Sequence, residues 1–178
     1  GGDLCVNGNL NFDGTRHTMF FNGDAMGKSM QGAGGALVLG SILNAIMARS
    51  AAGGRKLTIS AEEWIRETYG EMQRVFEAFA GSMLASCVLG LINEETGRIQ
   101  YINAEHPFSV LFRGGEARFF EPEQNVFKIG IPGQTLRNVY STTLESGDVL
   151  IAGSDGRDDI VLPSDNGSNV VNEDEHLF

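Results

Sequence analysis

Apolar and polar residues alternate over residues 4–12, which predicts a strand. Asp13-Gly14 is a strong turn dipeptide, and residues 17–22, with Met19-Phe20-Phe21 among them, form a second short strand, so the chain should open on a β-hairpin. Gly23-Asp24-Ala25-Met26-Gly27 then breaks the pattern. A long helical segment follows over 29–50, stopped by Gly53-Gly54. Ser60 reads as an N-cap with Glu63 completing a capping box, and the helix it opens should run to about residue 79. Ile65, Tyr69, Met72 and Phe76 fall at i, i+4, i+7 and i+11, one apolar stripe for the core. From residue 82 the rhythm changes to strands: 83–93, a turn at Glu94-Glu95-Thr96-Gly97, then 98–104. A hairpin over 109–113 and 117–120 turns at Gly114-Gly115, and 138–144 and 149–152 are joined by Glu145-Ser146-Gly147-Asp148. The polar tail from residue 164 lacks periodicity and is expected to be mobile.

The order is strands, two helices, then many strands. That is not the βαβ alternation of a doubly wound parallel sheet. An α+β architecture is expected, with mainly antiparallel sheets and the two helices paired on one face. No repeat or linker divides the chain, so residues 1–178 read as a single domain, which is ample for one core.

Composition adds little to this until charge is considered. Hydrophobic residues make up 42% and charged residues 20%, ordinary for a folded domain. The net charge of −10 argues against nucleic acid and anionic membrane surfaces as partners. Between Lys28 and Arg49 no residue is charged, a length that could cross a bilayer. Ser29, Gln31, Ser41, Asn44 and four glycines in that stretch favour a closely packed core helix, and no membrane contact is expected. Two distant cysteines, Cys5 and Cys87, form neither a disulfide framework nor a zinc pattern and suit a reducing cytoplasm. The histidines, His17, His106 and His176, are too scattered for a histidine-rich metal site. No secretory signal opens the chain. It begins at Gly1-Gly2-Asp3 without methionine, as a piece trimmed from a longer protein would.

Three aspartates fall where predicted strands end in glycine-rich turns: Asp3 in Gly-Gly-Asp, Asp24 in Gly-Asp-Ala-Met-Gly-Lys, and Asp155 in Ser-Asp-Gly. Hard divalent cations take oxygen ligands from carboxylates, carbonyls and water. A glycine beside an aspartate lets the backbone turn and bring its own carbonyl into range. Two such ions close together can hold a hydroxide and stabilise an in-line displacement at phosphorus. Against this, Asp-Gly is also an ordinary turn dipeptide, as at Asp13-Gly14.

In order along the chain, the motifs resemble the SpoIIE/RsbU branch of PP2C-like serine/threonine phosphatases. Gly1-Gly2-Asp3 is similar to the opening motif of that family, and 21–28 (Phe-Asn-Gly-Asp-Ala-Met-Gly-Lys) to its second metal motif. Residues 101–107 (Tyr-Ile-Asn-Ala-Glu-His-Pro) resemble its "NAGHP" segment, Ile129-Gly130-Ile131 its "LGI" turn, and 144–156, with Ser146-Gly147-Asp148 and Ser154-Asp155-Gly156, its "pGD…TDG" segment. The resemblance implies an α-β-β-α sandwich of two mainly antiparallel sheets flanked by helices. It implies two Mn²⁺ or Mg²⁺ ions bridged by Asp24, with Asp3 and the carbonyl of Ala25 on one and Asp155 on the other. Asp24 and Asp155 would then carry the chemistry, a metal-activated water attacking phosphorus. Read from the residues alone, Lys28 is either a contact to the substrate phosphate or a solvated lysine at the helix start. The implied substrate is phosphoserine or phosphothreonine on a protein like an anti-sigma factor antagonist. A sensor or receiver domain would precede residue 1, and a homodimer is compatible with the family.

The chain also departs from the family pattern. A further metal aspartate on a late strand has no match: Asp158-Asp159 follows Asp155 too soon, and Asp174 sits in the polar tail. This predicts a C-terminal truncation or a diverged chain, with one metal site incomplete. Glu105 stands where the family has glycine, and Ser29 replaces the glycine after Gly27-Lys28. At the "NAGHP" position His106 reads as a structural histidine rather than a general acid. A catalytically impaired regulatory or partner-binding domain is therefore the alternative function. A P-loop at 22–29 is the disfavoured rival, because the spacing needs glycine at Asn22 and an aspartate inside the loop would repel phosphate.

Overall fold

The computed structural model of the chain describes residues 2–27, 30–52, 56–121, 127–136, 138–157, 161–163 and 169–171. The opening hairpin forms from β1 (Asp3–Phe12) and β2 (Thr15–Ala25). Asp13 and Gly14 both take positive φ, 49° and 93°, the pairing that a tight hairpin turn needs. β2 runs three residues further than its sequence predicts and includes Gly23, Asp24 and Ala25. Pairing on both sides explains this: these residues oppose Leu4, Asp3 and Gly2 in one direction and Cys87, Ser86 and Ala85 in the other.

Strands β3 (Ala85–Asn93), β4 (Arg98–Ala104) and β7 (Tyr140–Thr143) complete an antiparallel sheet in the order β1-β2-β3-β4-β7. A second antiparallel sheet has the order β6-β5-β8, from β5 (Val110–Arg113), β6 (Glu116–Phe119) and β8 (Val149–Ile151). The predicted run over 138–152 thus divides between the two sheets. Arg113 on β5 ties that division together by bonding Asp148 and Glu145 in the intervening turn. Beyond a 3₁₀ turn at Asp155–Arg157, β9 (Val161–Pro163) pairs with β10 (Asn169–Val171), so the tail is not wholly without order. The tail residues 164–168 and 172–178, with Asp174 and His176, lie outside the described residues, as do Asp158-Asp159 and the Gly53-Gly54 stop.

The helices α1 (Met30–Ala51) and α2 (Ala61–Glu77) pack on one face of the larger sheet, α1 over β1 and β2, α2 over β3 and β4. Ser60 caps α2, its hydroxyl accepting the Glu63 N–H at 3.1 Å, a bond of about 1 kcal/mol. The predicted stripe Ile65, Tyr69, Met72 and Phe76 is wholly buried against Met19, Phe21, Leu89 and Ile102 from the sheet. Trp64 joins it, its indole N–H donating to the Ser50 hydroxyl on α1 at 2.9 Å. Buried Gln73 of α2 grips the Ile129-Gly130-Ile131 turn, donating to the Ile131 carbonyl and accepting the Gly130 N–H.

α1 differs from its prediction. It is long and apolar enough to cross a membrane by length and composition, yet only 28% of that apolar window is buried. Leu39, Leu43 and Ile46 face the core, while Met30 and Leu37 stand exposed.

Candidate metal centre

Alternation along β2 sorts its side chains between two faces. Met19, Phe21 and Ala25 turn to the helices and are buried; Phe20, Asn22 and Asp24 turn to the other face and are half-buried. Asp3 is the register partner of Asp24 on β1, and Ser86 is its partner on β3. Asp3 and Asp24 therefore stand side by side on one face, with Asp3 exposed at the sheet edge. Asp155 comes from the other sheet, in the 3₁₀ turn that follows β8. Burial raises the Asp24 pKa above the ordinary carboxylate value, and the charges of Asp3 and then Asp155 raise it further. The three aspartates singled out from sequence thus share one electrostatic field.

Backbone geometry narrows around Ala25. Its N–H donates to the Gly2 carbonyl at 3.0 Å, and the Met26 N–H donates to the Leu84 carbonyl at 2.8 Å. A Cβ on Gly2 would lie 2.1 Å from the Ala25 carbonyl oxygen and 2.8 Å from Asp24 Oδ1. Only glycine permits that approach, so Gly2 sets β1 against both an aspartate carboxylate and the Ala25 carbonyl. On the other side α1 presses on the same segment: a Cβ on Gly32 would meet the Gly27 carbonyl oxygen at 2.5 Å, and one on Gly35 the Ala25 Cβ at 2.6 Å. Lys28 and Ser29 lie outside the described residues.

The charged side chains acting on Asp24 are the carboxylates of Asp3 and Asp155, and their field is negative. Both suit a hard divalent cation. Among the described residues, no group of three or more histidine, cysteine, aspartate or glutamate side chains is gathered closely enough to hold a metal ion. Asp3 and Asp24 pair on neighbouring strands, and the charge of Asp155 reaches Asp24 from the turn after β8.

The "NAGHP"-like segment lies beside this face. Glu105 takes φ 47°, in the left-handed region, and its carboxylate pairs with Lys128 at 3.7 Å. His106 is completely buried, with Ser86 Oγ 2.9 Å from Nδ1 and Asn22 Oδ1 2.8 Å from Nε2. Its main-chain N–H donates to Asn103 Oδ1 at 2.8 Å. Asn103 in turn donates to Glu121, which also accepts the N–H and hydroxyl of Ser109. A ring so enclosed does not meet a substrate, which agrees with the structural role read from sequence. Asn22 and Ser86 are the residues that sequence reasoning missed here; Asn22 lay within a flagged motif, while nothing marked Ser86.

This architecture is shared with several solved structures. The RsbU and RsbW domains of Rv1364c from Mycobacterium tuberculosis superpose with a TM-score of 0.68 at 24% identity, over 89% of this chain and 40% of that one. The PP2C phosphatase domain and regulatory fragment of SpoIIE from Bacillus subtilis gives 0.64 at 18%, over 87% and 41%. The catalytic domain of the serine/threonine phosphatase PstP, solved in complex with two manganese ions, gives 0.62 at 12%, over 93% and 74%. At these identities the likeness establishes the PP2C-like fold, and the chain spans about two-fifths of the first two structures. No curated protein sequence matches the chain. The sequence model of the Stage II sporulation protein E (SpoIIE) family matches residues 14–177, which include Asp24, His106 and Asp155, and the chain belongs to the SpoIIE family.

Proposed function

We propose that this domain is a metal-dependent phosphatase of phosphoserine or phosphothreonine on a regulatory protein. The observation that carries the reading is the field at Asp24: a half-buried carboxylate faces Asp3 across β1–β2, and both Asp3 and Asp155 push its pKa upward. Burial and the charges of Asp3 and Asp155 all oppose ionisation of Asp24; a divalent cation would turn the same arrangement into a binding site. Asp24 would hold ions from between them, with Asp3 and the Ala25 carbonyl on one side and Asp155 on the other. When bound, such ions supply an activated water and a Lewis acid for the phosphoryl oxygens. The chain itself fixes the ligands: Gly2 lets β1 close on Asp24 and Ala25, and α1 backs the 25–27 segment through Gly32 and Gly35.

SpoIIE-family membership and the fold shared with the RsbU–RsbW and SpoIIE structures support a substrate resembling an anti-sigma factor antagonist. The PstP complex supports manganese. Such a protein works in the cytoplasm, behind a sensor or receiver domain. The test is release of phosphate from a phosphoserine protein in Mn²⁺ and its loss in EDTA; turnover unaffected by EDTA would overturn the reading.

One observation favours a second reading, a regulatory domain with impaired chemistry. No group of three metal-ligating side chains is gathered among the described residues. Partner binding without Mn²⁺ uptake by the domain would decide for it.

A further inference from the structure

Asn22 and Asp24 share one face of β2, and Ser86 stands opposite Asp24 on β3, on that same face. Same-face partners across an antiparallel pair hold their Cβ atoms about 4.5–5.5 Å apart. The His106 ring joins Asn22 to Ser86, the residue two before Asp24 to the residue across from it. We infer that His106 is a positioning residue for the cation site, fastening Asn22 to Ser86 and so fixing where the Asp24 carboxylate stands. The inference rests on the metal-dependent reading given above.

Three features support it. The first is cost: burying an imidazole disfavours folding unless its nitrogens are bonded, and an apolar residue would fill the space without that demand. Here both nitrogens are bonded, and both partners flank Asp24. With Asn22 Oδ1 accepting, Nε2 donates, and Nδ1 pairs with the Ser86 hydroxyl, so the ring is a directional clamp. The second is anchoring. The His106 main chain is held by Asn103, Asn103 by Glu121, and Glu121 by Ser109, so the ring is tied through side chains to the start of β5. A satisfied buried network of this kind is rigid. The third is strain: the residue before the ring, Glu105, is kept in the left-handed region, which sets the direction in which residue 106 enters the core.

The experiment compares Mn²⁺ binding by calorimetry and metal-free melting by circular dichroism, using the 178-residue chain. The variants are His106→Ala, His106→Gln and Ser86→Ala, with Ser50→Ala as a remote control that costs Trp64 its bond. The expected result is a Kd for Mn²⁺ raised ~10-fold in His106→Ala and Ser86→Ala, the low end of what loss of an outer-shell partner costs. His106→Gln, which can keep the Asn22 bond, should fall between these and the parent chain. Ser50→Ala should melt earlier and bind Mn²⁺ as the parent does. If His106→Ala does not fold, Ser86→Ala, which loses one hydroxyl, carries the test. Parent-like Mn²⁺ affinity in folded His106 and Ser86 variants overturns the inference and leaves the phosphatase reading intact. A parent chain that binds no Mn²⁺ overturns the reading itself and the inference with it.

Discussion

Asp3 and Asp24 are register partners at the open end of the β1–β2 ladder, two carboxylates side by side on one sheet face. Like charges so placed oppose strand pairing by a few tenths of a kcal/mol to about 1 kcal/mol. Burial, Asp3 and Asp155 all raise the Asp24 pKa, so each makes its ionised form harder to hold. Asp24→Asn should therefore have effects of opposite sign. Without metal it removes repulsion, and the melting temperature should hold or rise. Mn²⁺ affinity should fall by more than the ~10–100-fold typical of an outer-shell loss. Melting curves with and without Mn²⁺ check both.

Gly2→Ala should damage the same site from the backbone side. The new Cβ would meet the Ala25 carbonyl oxygen at 2.1 Å, so β1 must move away from Asp24. The expected result is a Kd for Mn²⁺ raised ~10-fold. Metal-free stability should fall as well, because the shift breaks the bond from the Ala25 N–H to the Gly2 carbonyl. Calorimetry and thermal melting together separate the two effects.

Glu105 holds φ 47° where glycine would carry no steric cost. Relief of that strain is worth ~1–2 kcal/mol. Two losses offset part of it: the part-exposed pair with Lys128, worth ~0–1 kcal/mol, and the greater freedom of glycine when unfolded, ~0.4–1 kcal/mol. Glu105→Gly should therefore match or exceed the parent in urea unfolding. Glu105→Ala, which keeps the strain and loses the pair, should fall below it by up to ~1 kcal/mol.

Asp148 gives the pH dependence a definite sign. Hydrogen bonds from Arg113 and the Glu145 N–H pull its pKa from 3.8 down to about 2. A depressed carboxylate stabilises the fold fully above its unfolded value and loses that contribution as pH falls through the folded one. The parent chain should lose stability between about pH 4 and 2 through this group, and Asp148→Asn should show a shallower loss over that window in acid unfolding. Glu121 runs the other way: burial raises its pKa, so its share of stability declines as pH rises through the region above 4.5.

The apolar stripe of α2 was legible because 3.6-residue periodicity and the burial of Ile65, Tyr69, Met72 and Phe76 are one fact seen twice. The opening turn was legible because Asp-Gly permits the positive φ that the hairpin needs. The end of β2 was not, because Gly23 and Asp24 are poor strand formers on their own and become strand only through partners on both sides. Burial of α1 was overestimated for a related reason: the absence of charge over 29–48 says nothing about which apolar residues find a neighbour, and Leu37 finds none that covers it. Within the site, the aspartates carried sequence signals of their own. The His106 clamp spans 84 residues to Asn22 and 20 to Ser86, so only the strand order brings it together.

The most direct test of the central claim is hydrolysis of an aryl phosphate by this chain across a Mn²⁺ titration, beside Asp24→Asn. The account predicts turnover that rises with Mn²⁺, saturates, and is lost in the variant. Mn²⁺ without effect on the parent chain, or equal turnover in Asp24→Asn, would contradict it.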